Sequence, residues 1–217
     1  MEKLVLYGPS FSVYVRIVRI VLREKELIEN EDYILKPFDV FEPAEHPKEF
    51  KSLSPFGKVP VLAHGDLGIY ETSAITRYLD QIFPSPSLQP TSPSSLARMN
   101  QVISIVDNYA YPILIWKIFV ERISAPEEGR ECNYQLVEQA HSEAMECLAA
   151  LEDLIDFNGF LFGKALSLAD CYMMPIFVYF MLTPEGKDSL SEFPNIHRWW
   201  LAVKQRPSLL KTRSKWG

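Results

Sequence analysis

The stretch LYGPSFSVYVRIVRIVL, residues 6–22, changes its pattern halfway, and this change decides the fold. The run KLVLYG over 3–8 is apolar and ends in glycine, as a buried strand does. From Ser12 onward apolar residues recur at helical spacing, with arginines between them, which predicts a half-buried helix over 12–27. Ser10 and Ser12 lie where strand gives way to helix. They are therefore either helix caps or participants in chemistry.

The same alternation of periods continues to about residue 83. A hairpin is predicted around His64-Gly65-Asp66, because glycine supplies the positive φ that such a turn needs. The hairpin supplies two strands. We also predict a strand over 32–38 and a short helix over 43–53 before it, and a helix over 72–83 after it. The predicted order is βαβαββα.

The segment FPSPSLQPTSPSS, residues 83–95, is rich in proline and serine and suits an extended linker. We therefore predict a domain over 1–83, a linker over 84–95 and an all-helical domain over 96–217. In the last of these, Pro112 is expected to bend a long apolar helix, and Ser167 with Asp170 forms a capping box. The predicted helices cover 95–123, 133–157, 167–182 and 193–207.

Composition excludes several classes of protein. The 217 residues are 47% hydrophobic and 23% charged, which is ordinary for a globular chain. A net charge of −6 argues against a nucleic-acid or anionic-membrane surface. We read no apolar run of the roughly 18 residues that span a bilayer and no signal peptide, so we expect a cytoplasmic protein. Three cysteines without metal-like spacing predict reduced thiols and no metal site.

Five segments together resemble the soluble glutathione transferases of the serine type, as in the bacterial, theta and phi members. They are YGPSFSVYVRIVRIVLREK (7–25), SPFGKVPVL (54–62), YETSAITRYL (70–79), SLAD (167–170) and FPNIHRWWLAVKQRPS (193–208). The resemblance covers nearly the whole chain in order. It implies a thioredoxin-like α/β N-terminal domain, a helical C-terminal domain, glutathione as co-substrate and a homodimer.

The resemblance also implies a set of glutathione-binding residues. In the family the bond between Val59 and Pro60 is cis, and the backbone of Val59 pairs with the cysteinyl part of glutathione. Glu71 and Thr72 lie where a strand ends and a helix begins, and the unpaired amides of a helix N-terminus favour an anion such as the γ-glutamyl carboxylate. Lys58 and His46 are expected partners of the glycyl carboxylate.

The activating hydroxyl is expected at Ser12, because serine-type members place theirs at this turn. A hydroxyl that donates to sulfur at a helix N-terminus stabilises the thiolate, which is the nucleophilic form of a thiol. Ser10, Tyr7 and a purely structural role for the serines remain alternatives. Since no cysteine occurs before Cys132, the disulfide-reducing branch of the family is excluded.

The second substrate is expected to be a small hydrophobic electrophile that contacts Phe11 and Tyr14, beside Ser12. Tyr109 and Trp116 share a face of the long helix at α-helical spacing and are further candidates, although such a stripe more often forms core or dimer contacts than a pocket. The predicted activity is therefore conjugation of glutathione to such an electrophile. A glutathione-dependent isomerase and a non-catalytic binding or scaffold protein are the alternatives.

Overall fold

A four-stranded sheet organises the first part of the chain, as the sequence predicts. The computed structural model describes residues 2–217, so Met1, with which the predicted first domain begins, lies outside the described residues. The order is βαβαββα, and the elements are β1 (Leu4–Tyr7), α1 (Val13–Glu24), β2 (Tyr33–Lys36), α2 (Lys48–Leu53), β3 (Val61–His64), β4 (Leu67–Tyr70) and α3 (Thr72–Ile82). A 3₁₀ turn over Pro43–Glu45 precedes α2.

The strands lie in the order β2-β1-β3-β4. β1 and β2 are parallel, as a strand–helix–strand crossover requires, while β3 is antiparallel to both of its neighbours. The hairpin between β3 and β4 has the two-residue turn Gly65-Asp66, in which Gly65 has a φ of +59°. This is the mixed sheet that the family resemblance implies.

Helix α1 is more deeply buried than its sequence suggested. A half-buried helix was expected, yet even Arg16 and Arg19, which interrupt its apolar stripe, are only 1% and 6% exposed. Every residue from Val15 to Leu22 is buried. Arg16 donates to the carbonyl of Leu209, and Arg19 donates both to the carboxylate of Glu29 and to the carbonyl of Thr212.

The rest of the chain is helical. Its helices are α4 (Pro93–Ile105), which continues through a π-helical segment (Val106–Ser124) and α5 (Ala125–Glu127), followed by α6 (Tyr134–Glu152), α7 (Leu168–Phe180), α8 (Pro184–Ser189), α9 (Pro194–Val203) and α10 (Pro207–Lys211). Pro112, where we predicted a bend, lies inside the π-helical segment. Proline has no N–H to donate to the carbonyl four residues back, and a wider turn accommodates it.

The chain divides into two compact units, one of residues 2–87 with 207–216 and one of 88–206 with 217. The expected division therefore needs two corrections. The segment 84–95 is not a free linker, because Lys25 donates to the carbonyl of Pro86 in the first unit and α4 already begins at Pro93. The last residues, predicted to belong to the helical domain, pack on α1 instead.

One helix, over 93–127, is long and apolar enough to cross a membrane by length and composition alone. Our sequence-based expectation that no such run exists was therefore too strict. Half of its most apolar window is buried inside the protein, and the core helix of a soluble protein passes the same test, so this feature is weak evidence for a membrane span.

Candidate functional site

The register of the sheet brings three separate segments to one edge. Tyr7 at the end of β1 lies opposite Val61 at the start of β3, and Val61 lies opposite Tyr70 at the end of β4. The residues that follow Tyr7, precede Val61 and follow Tyr70 therefore meet at the same edge. These are the three segments that the sequence singled out, and helices α1 and α3 both begin there.

The turn after β1 lies against the segment before β3. Gly8 has a φ of +135°, and a Cβ atom placed there would lie 2.5 Å from Cγ2 of Val15 and 2.9 Å from Cβ of Val59. Only glycine therefore allows so close an approach. The amide of Ser12 donates to the carbonyl of Pro9 at 3.1 Å, which closes the turn and places Ser12 at the start of α1.

Ser12 caps α1 weakly. Its half-buried hydroxyl accepts a hydrogen bond from the amide of Val15 at 3.5 Å, a long distance for such a bond. Valine at the third helical position offers no carboxylate to accept the hydroxyl proton. Within residues 2–217 the structure shows no bond that this hydroxyl donates. Ser12 therefore keeps a donor for a ligand beside the positive end of α1.

Ser10 and Tyr7, the two alternatives to Ser12 as donor to the thiolate, are less favourably placed for that role. Ser10 lies inside the turn, two residues before the helix cap. Tyr7 is buried and packs on Phe50 and Val61, with 6.4 Å between the centroids of the two aromatic rings. Its ring is a core side chain of the sheet, so this geometry favours Ser12.

The second segment carries the expected cis bond between Val59 and Pro60. Pro60 is buried and Val59 is half-buried. The hydroxyl of Ser54 donates to the carbonyl of Lys58 at 3.0 Å and ties the loop in place. The side chain of Lys58 is exposed, so its ammonium group is available to an anion at this edge.

The third segment has an unusual backbone. Glu71 has a φ of +69°, a conformation that non-glycine residues rarely adopt. Its carbonyl accepts from the amides of Ala74 and Ile75, both at 3.0 Å, but its exposed side chain does not cap α3. Thr72 is 8% exposed at the first helical position. The first amides of α3 and the exposed carboxylate of Glu71 thus lie together.

His46 is committed to local packing. Its Nε2 lies 3.1 Å from the carbonyl of Val40, and its ring packs edge-on against Phe38 and Phe50 at centroid distances of 5.1 and 5.2 Å. A contact with a bound carboxylate would compete with the Val40 bond. His46 remains a prediction as a ligand-binding residue, with weaker support than Lys58.

The predicted second-substrate residues lie in different units. Phe11 and Tyr14 flank Ser12 and are half-buried. Tyr109 and Trp116 belong to the π-helical segment, where α-helical spacing no longer keeps two side chains on one face. Their side chains are 59% and 47% exposed, and their place relative to Ser12 stays a prediction.

In the described part of the chain, 2–217, no group of three or more histidine, cysteine or acidic residues could hold a metal ion. The three cysteines are free thiols, and burial raises the pKa of Cys147 to about 11. None of the three lies in the segments that form the site.

Sequence reasoning missed two features next to this site. Arg16 and Arg19 are buried and bind the C-terminal segment, and Trp216 contacts Phe11. Arginines inside an otherwise apolar helix were a signal that α1 meets backbone carbonyls. Nothing local to Trp216 pointed to its contact, which joins residues at opposite ends of the chain.

Comparison with known proteins agrees with this arrangement. The family model described as glutathione S-transferase, N-terminal domain, matches residues 6–87, and the model of the C-terminal domain matches residues 134–199. Glutathione S-transferase F13 of Arabidopsis thaliana is 29% identical to the chain, over 95% of this chain and 93% of its own length.

Solved structures agree as well. Glutathione S-transferase III in its apo form is 28% identical, with a TM-score of 0.82 over 97% of this chain and 95% of that chain. Glutathione S-transferase I from maize, in complex with an atrazine–glutathione conjugate, is 26% identical, with a TM-score of 0.82 over 97% of this chain and 96% of that one. Both halves of the chain match in order, and the chain belongs to the glutathione S-transferase family.

Proposed function

We propose that this protein transfers glutathione, held as its thiolate, to the electrophilic carbon of a small hydrophobic substrate, with Ser12 as the catalytic residue. One observation carries the proposal: the turn of Ser12, the Val59–Pro60 segment and the start of α3 converge on one edge of the sheet. A thiol-bearing ligand with charged ends can contact all three at once. The maize relative bound to an atrazine–glutathione conjugate supports this reaction class.

Each part of glutathione has a partner at this edge. Its γ-glutamyl carboxylate would accept from the first amides of α3 and from the hydroxyl of Thr72. Its α-ammonium group would pair with Glu71, whose carboxylate is exposed and does not cap α3. The backbone of Val59 would bind the cysteinyl part, and Lys58 would pair with the glycyl carboxylate.

Anchoring the tripeptide in this way would leave its sulfur near the start of α1. There the hydroxyl of Ser12 would donate to the sulfur, and the positive end of the helix would favour the negative charge. Lowering the pKa of a thiol by about two units requires roughly 2.7 kcal/mol. One charge-assisted hydrogen bond and the helix dipole are of that size together.

The decisive experiment measures the pKa of bound glutathione from thiolate absorbance in the ultraviolet. The wild-type protein should lower it below its value in water, and Ser12→Ala should bring it back up with little change in glutathione affinity. Ser10→Ala and Tyr7→Phe are matched controls from the same turn and should behave as wild type. A normal pKa in the wild-type complex would contradict the proposal and favour the binding-protein alternative.

We also propose that the protein is a cytoplasmic homodimer. Phe56 and Tyr70 support an interface, because both rings are exposed and lie edge to face with 6.0 Å between centroids. Tyr109 and Trp116 add exposed aromatic surface on the long helix. Light scattering should give twice the 25.0 kDa chain mass at micromolar concentration. A monomer mass would contradict this part of the proposal.

A further inference from the structure

A buried ion pair links α1 and α3, the two helices that begin at the edge of the sheet where the candidate site lies. Nζ of Lys25 donates to Oδ1 of Asp80 and to the carbonyl of Pro86, both at 2.5 Å. The side chains of Lys25 and Asp80 are 0% and 5% exposed. Since these bonds join residues 55 and 61 positions apart, the pair holds together segments that are distant in sequence.

The pair lies at the far ends of both helices. Lys25 is the C-terminal cap of α1, whose N-terminal cap is Ser12, and Asp80 lies in the last turn of α3, which begins at Thr72. At a rise of about 1.5 Å per residue, the pair is about 20 Å along α1 from Ser12 and about 12 Å along α3 from Thr72. It is therefore too far from the helix starts to contact a ligand there, and it acts on the site only through the placement of the helices.

A buried ion pair contributes direction more than stability. Taking two charges out of water is costly, and replacing such a pair by uncharged side chains of similar size often leaves stability unchanged. Helix α1 packs against α3, whose buried residues include Ile75 and Leu79. Aliphatic contact is non-directional and tolerates sliding. An ammonium group bonded to one carboxylate oxygen and one carbonyl has a single geometry, so this pair sets the register of α1 on α3.

We infer that Lys25 and Asp80 are positioning residues for the transfer reaction, because they fix the start of α1 relative to the start of α3. This inference rests on the proposed function, in which one glutathione molecule spans both starts. Its sulfur meets the hydroxyl of Ser12, and its γ-glutamyl carboxylate meets the first amides of α3. If either helix slides along the other, a ligand of fixed length no longer reaches both partners with good geometry.

Three variants separate the position of the helices from the stability of the fold. Lys25→Met leaves the carboxylate of Asp80 buried without its cation and should destabilise the protein strongly in urea unfolding. The double variant Lys25→Met/Asp80→Asn removes both charges at similar side-chain size, so it should recover most of that stability. It still lacks the directed ion pair. Asp80→Asn alone keeps the bond from Lys25 to Pro86 and provides a milder variant, in which glutathione affinity should fall about threefold.

Two ligands make the loss specific to the distance between the helix starts. Glutathione spans α1 and α3, whereas cysteinylglycine lacks the γ-glutamyl part and does not reach α3. In calorimetry the double variant should bind glutathione about tenfold more weakly than wild type does, and cysteinylglycine within about twofold of wild type. The pKa of bound glutathione, read from thiolate absorbance in the ultraviolet, should rise by about one unit, because the sulfur and Ser12 are then misaligned.

An ion pair in the second unit of the chain provides the matched control. Arg122 and Glu185 pair there, with side chains that are 25% and 10% exposed. Arg122→Met/Glu185→Gln removes the same number of charges, again at similar side-chain size. This control should match wild type in its affinity for both ligands and in the pKa of bound glutathione.

Two results would overturn the inference. One is a double variant that recovers wild-type affinity for glutathione along with its stability, because the pair would then act only through folding. The other is an equal loss of affinity for both ligands, which indicates general damage to the site. If wild type leaves the pKa of bound glutathione at its value in water, the proposed function fails, while the ratio of the two affinities still decides whether the pair positions the helices.

Discussion

Ser12 and Ser167 both cap the start of a helix, but their hydroxyls bond differently. Ser167, before α7, is 3% exposed, and both its hydroxyl and its amide donate to Oδ2 of Asp170, at 2.6 and 2.8 Å. Ser12, before α1, is half-buried and has Val15 where the other helix has Asp170. The hydroxyl of Ser167 donates its hydrogen bond to Asp170, whereas within residues 2–217 the hydroxyl of Ser12 only accepts one, from Val15.

The surroundings of Asp170 make the first of these caps structural. Its Oδ1 also accepts from the amide of Leu161 at 3.0 Å and from Nε1 of Trp199 at 2.9 Å. Burial raises the pKa of this carboxyl, and the hydrogen bonds oppose that shift. A serine cap is therefore a poor predictor of function by itself. Whether the capping hydroxyl also has an acceptor depends on the third residue of the helix, which is Asp170 in α7 and Val15 in α1.

We expect the largest effect on the free energy of unfolding from a substitution that removes the structural cap at Ser167. Asp170→Ala should destabilise the protein by about 3–5 kcal/mol, because four buried donor groups lose their acceptor. Urea unfolding measures this. Ser12→Ala is the control and should cost only about 0.5–1 kcal/mol. A loss below about 1 kcal/mol in Asp170→Ala would show that the two caps do not differ as argued.

For catalytic activity the order should be reversed, with loss of the Ser12 hydroxyl costing more than loss of the Ser167 hydroxyl. Ser12→Ala should lower kcat/KM at neutral pH about a hundredfold, the rate equivalent of the roughly 2.7 kcal/mol assigned to thiolate stabilisation. Raising the pH should recover part of the rate, since more of the bound thiol then ionises without help. Ser167→Ala, assayed at a temperature where it is folded, should keep a near-normal rate. Equal losses in both variants would remove the distinction.

The start of α3 is another helix N-terminus, at which the exposed side chain of Glu71 does not cap the helix. Glu71→Ala should weaken glutathione binding by about 1–3 kcal/mol, because the ligand's ammonium group loses a charge-assisted partner. Calorimetry measures this, with Glu138→Ala, an exposed acid on α6, as the control for net charge. Unchanged affinity in Glu71→Ala would remove that residue from the site.

We expect the smallest effect in the reactivity of Cys147, whose thiol contrasts with that of bound glutathione in the direction of its pKa shift. Cys147, inside α6, has its pKa raised to about 11 by burial, whereas bound glutathione at Ser12 should have its pKa lowered. At neutral pH Cys147 should therefore react with a thiol reagent far more slowly than the partly exposed Cys132. Reaction of the folded protein with Ellman's reagent, with Cys147→Ser as control, tests this. Equal rates would contradict the role of burial.

The sign of that shift also bears on stability. A pKa raised in the folded state above the ordinary value of 9.0 means that the folded protein holds the proton more tightly than the unfolded chain does. The contribution is fully present below pH 9.0 and is lost as the pH rises through about 11. Tyr33 adds to the same alkaline loss, because burial raises its pKa to about 12.

Much of the local structure could be predicted from short patterns. The alternation of periods placed the strands and helices of the first unit, and Gly65 marked the hairpin. The Ser167–Asp170 spacing predicted a complete cap, which the structure contains. These features depend on residues within about four positions of each other, where backbone geometry leaves few choices.

Other expectations failed where distant residues decide. Helix α1 was expected to be only half-buried, and the end of the chain was assigned to the helical domain. Both differences involve the contacts of Arg16 and Arg19 with carbonyls 193 positions away, and Arg19 also forms an ion pair with Glu29. No local periodicity records where a buried guanidinium finds its acceptor.

The sequence by itself therefore determined the order of elements, the helix starts at Ser12, Thr72 and Ser167, and the motifs that resemble the family. Only the tertiary structure decided that Tyr7, Val61 and Tyr70 share a register, which brings three separated segments to one edge. It also decided that Trp216 meets Phe11. The physical reason is the distance along the chain over which residues interact. Helix caps and hydrophobic periodicity depend on neighbours in sequence, whereas strand register and the burial of charged side chains depend on packing between distant segments.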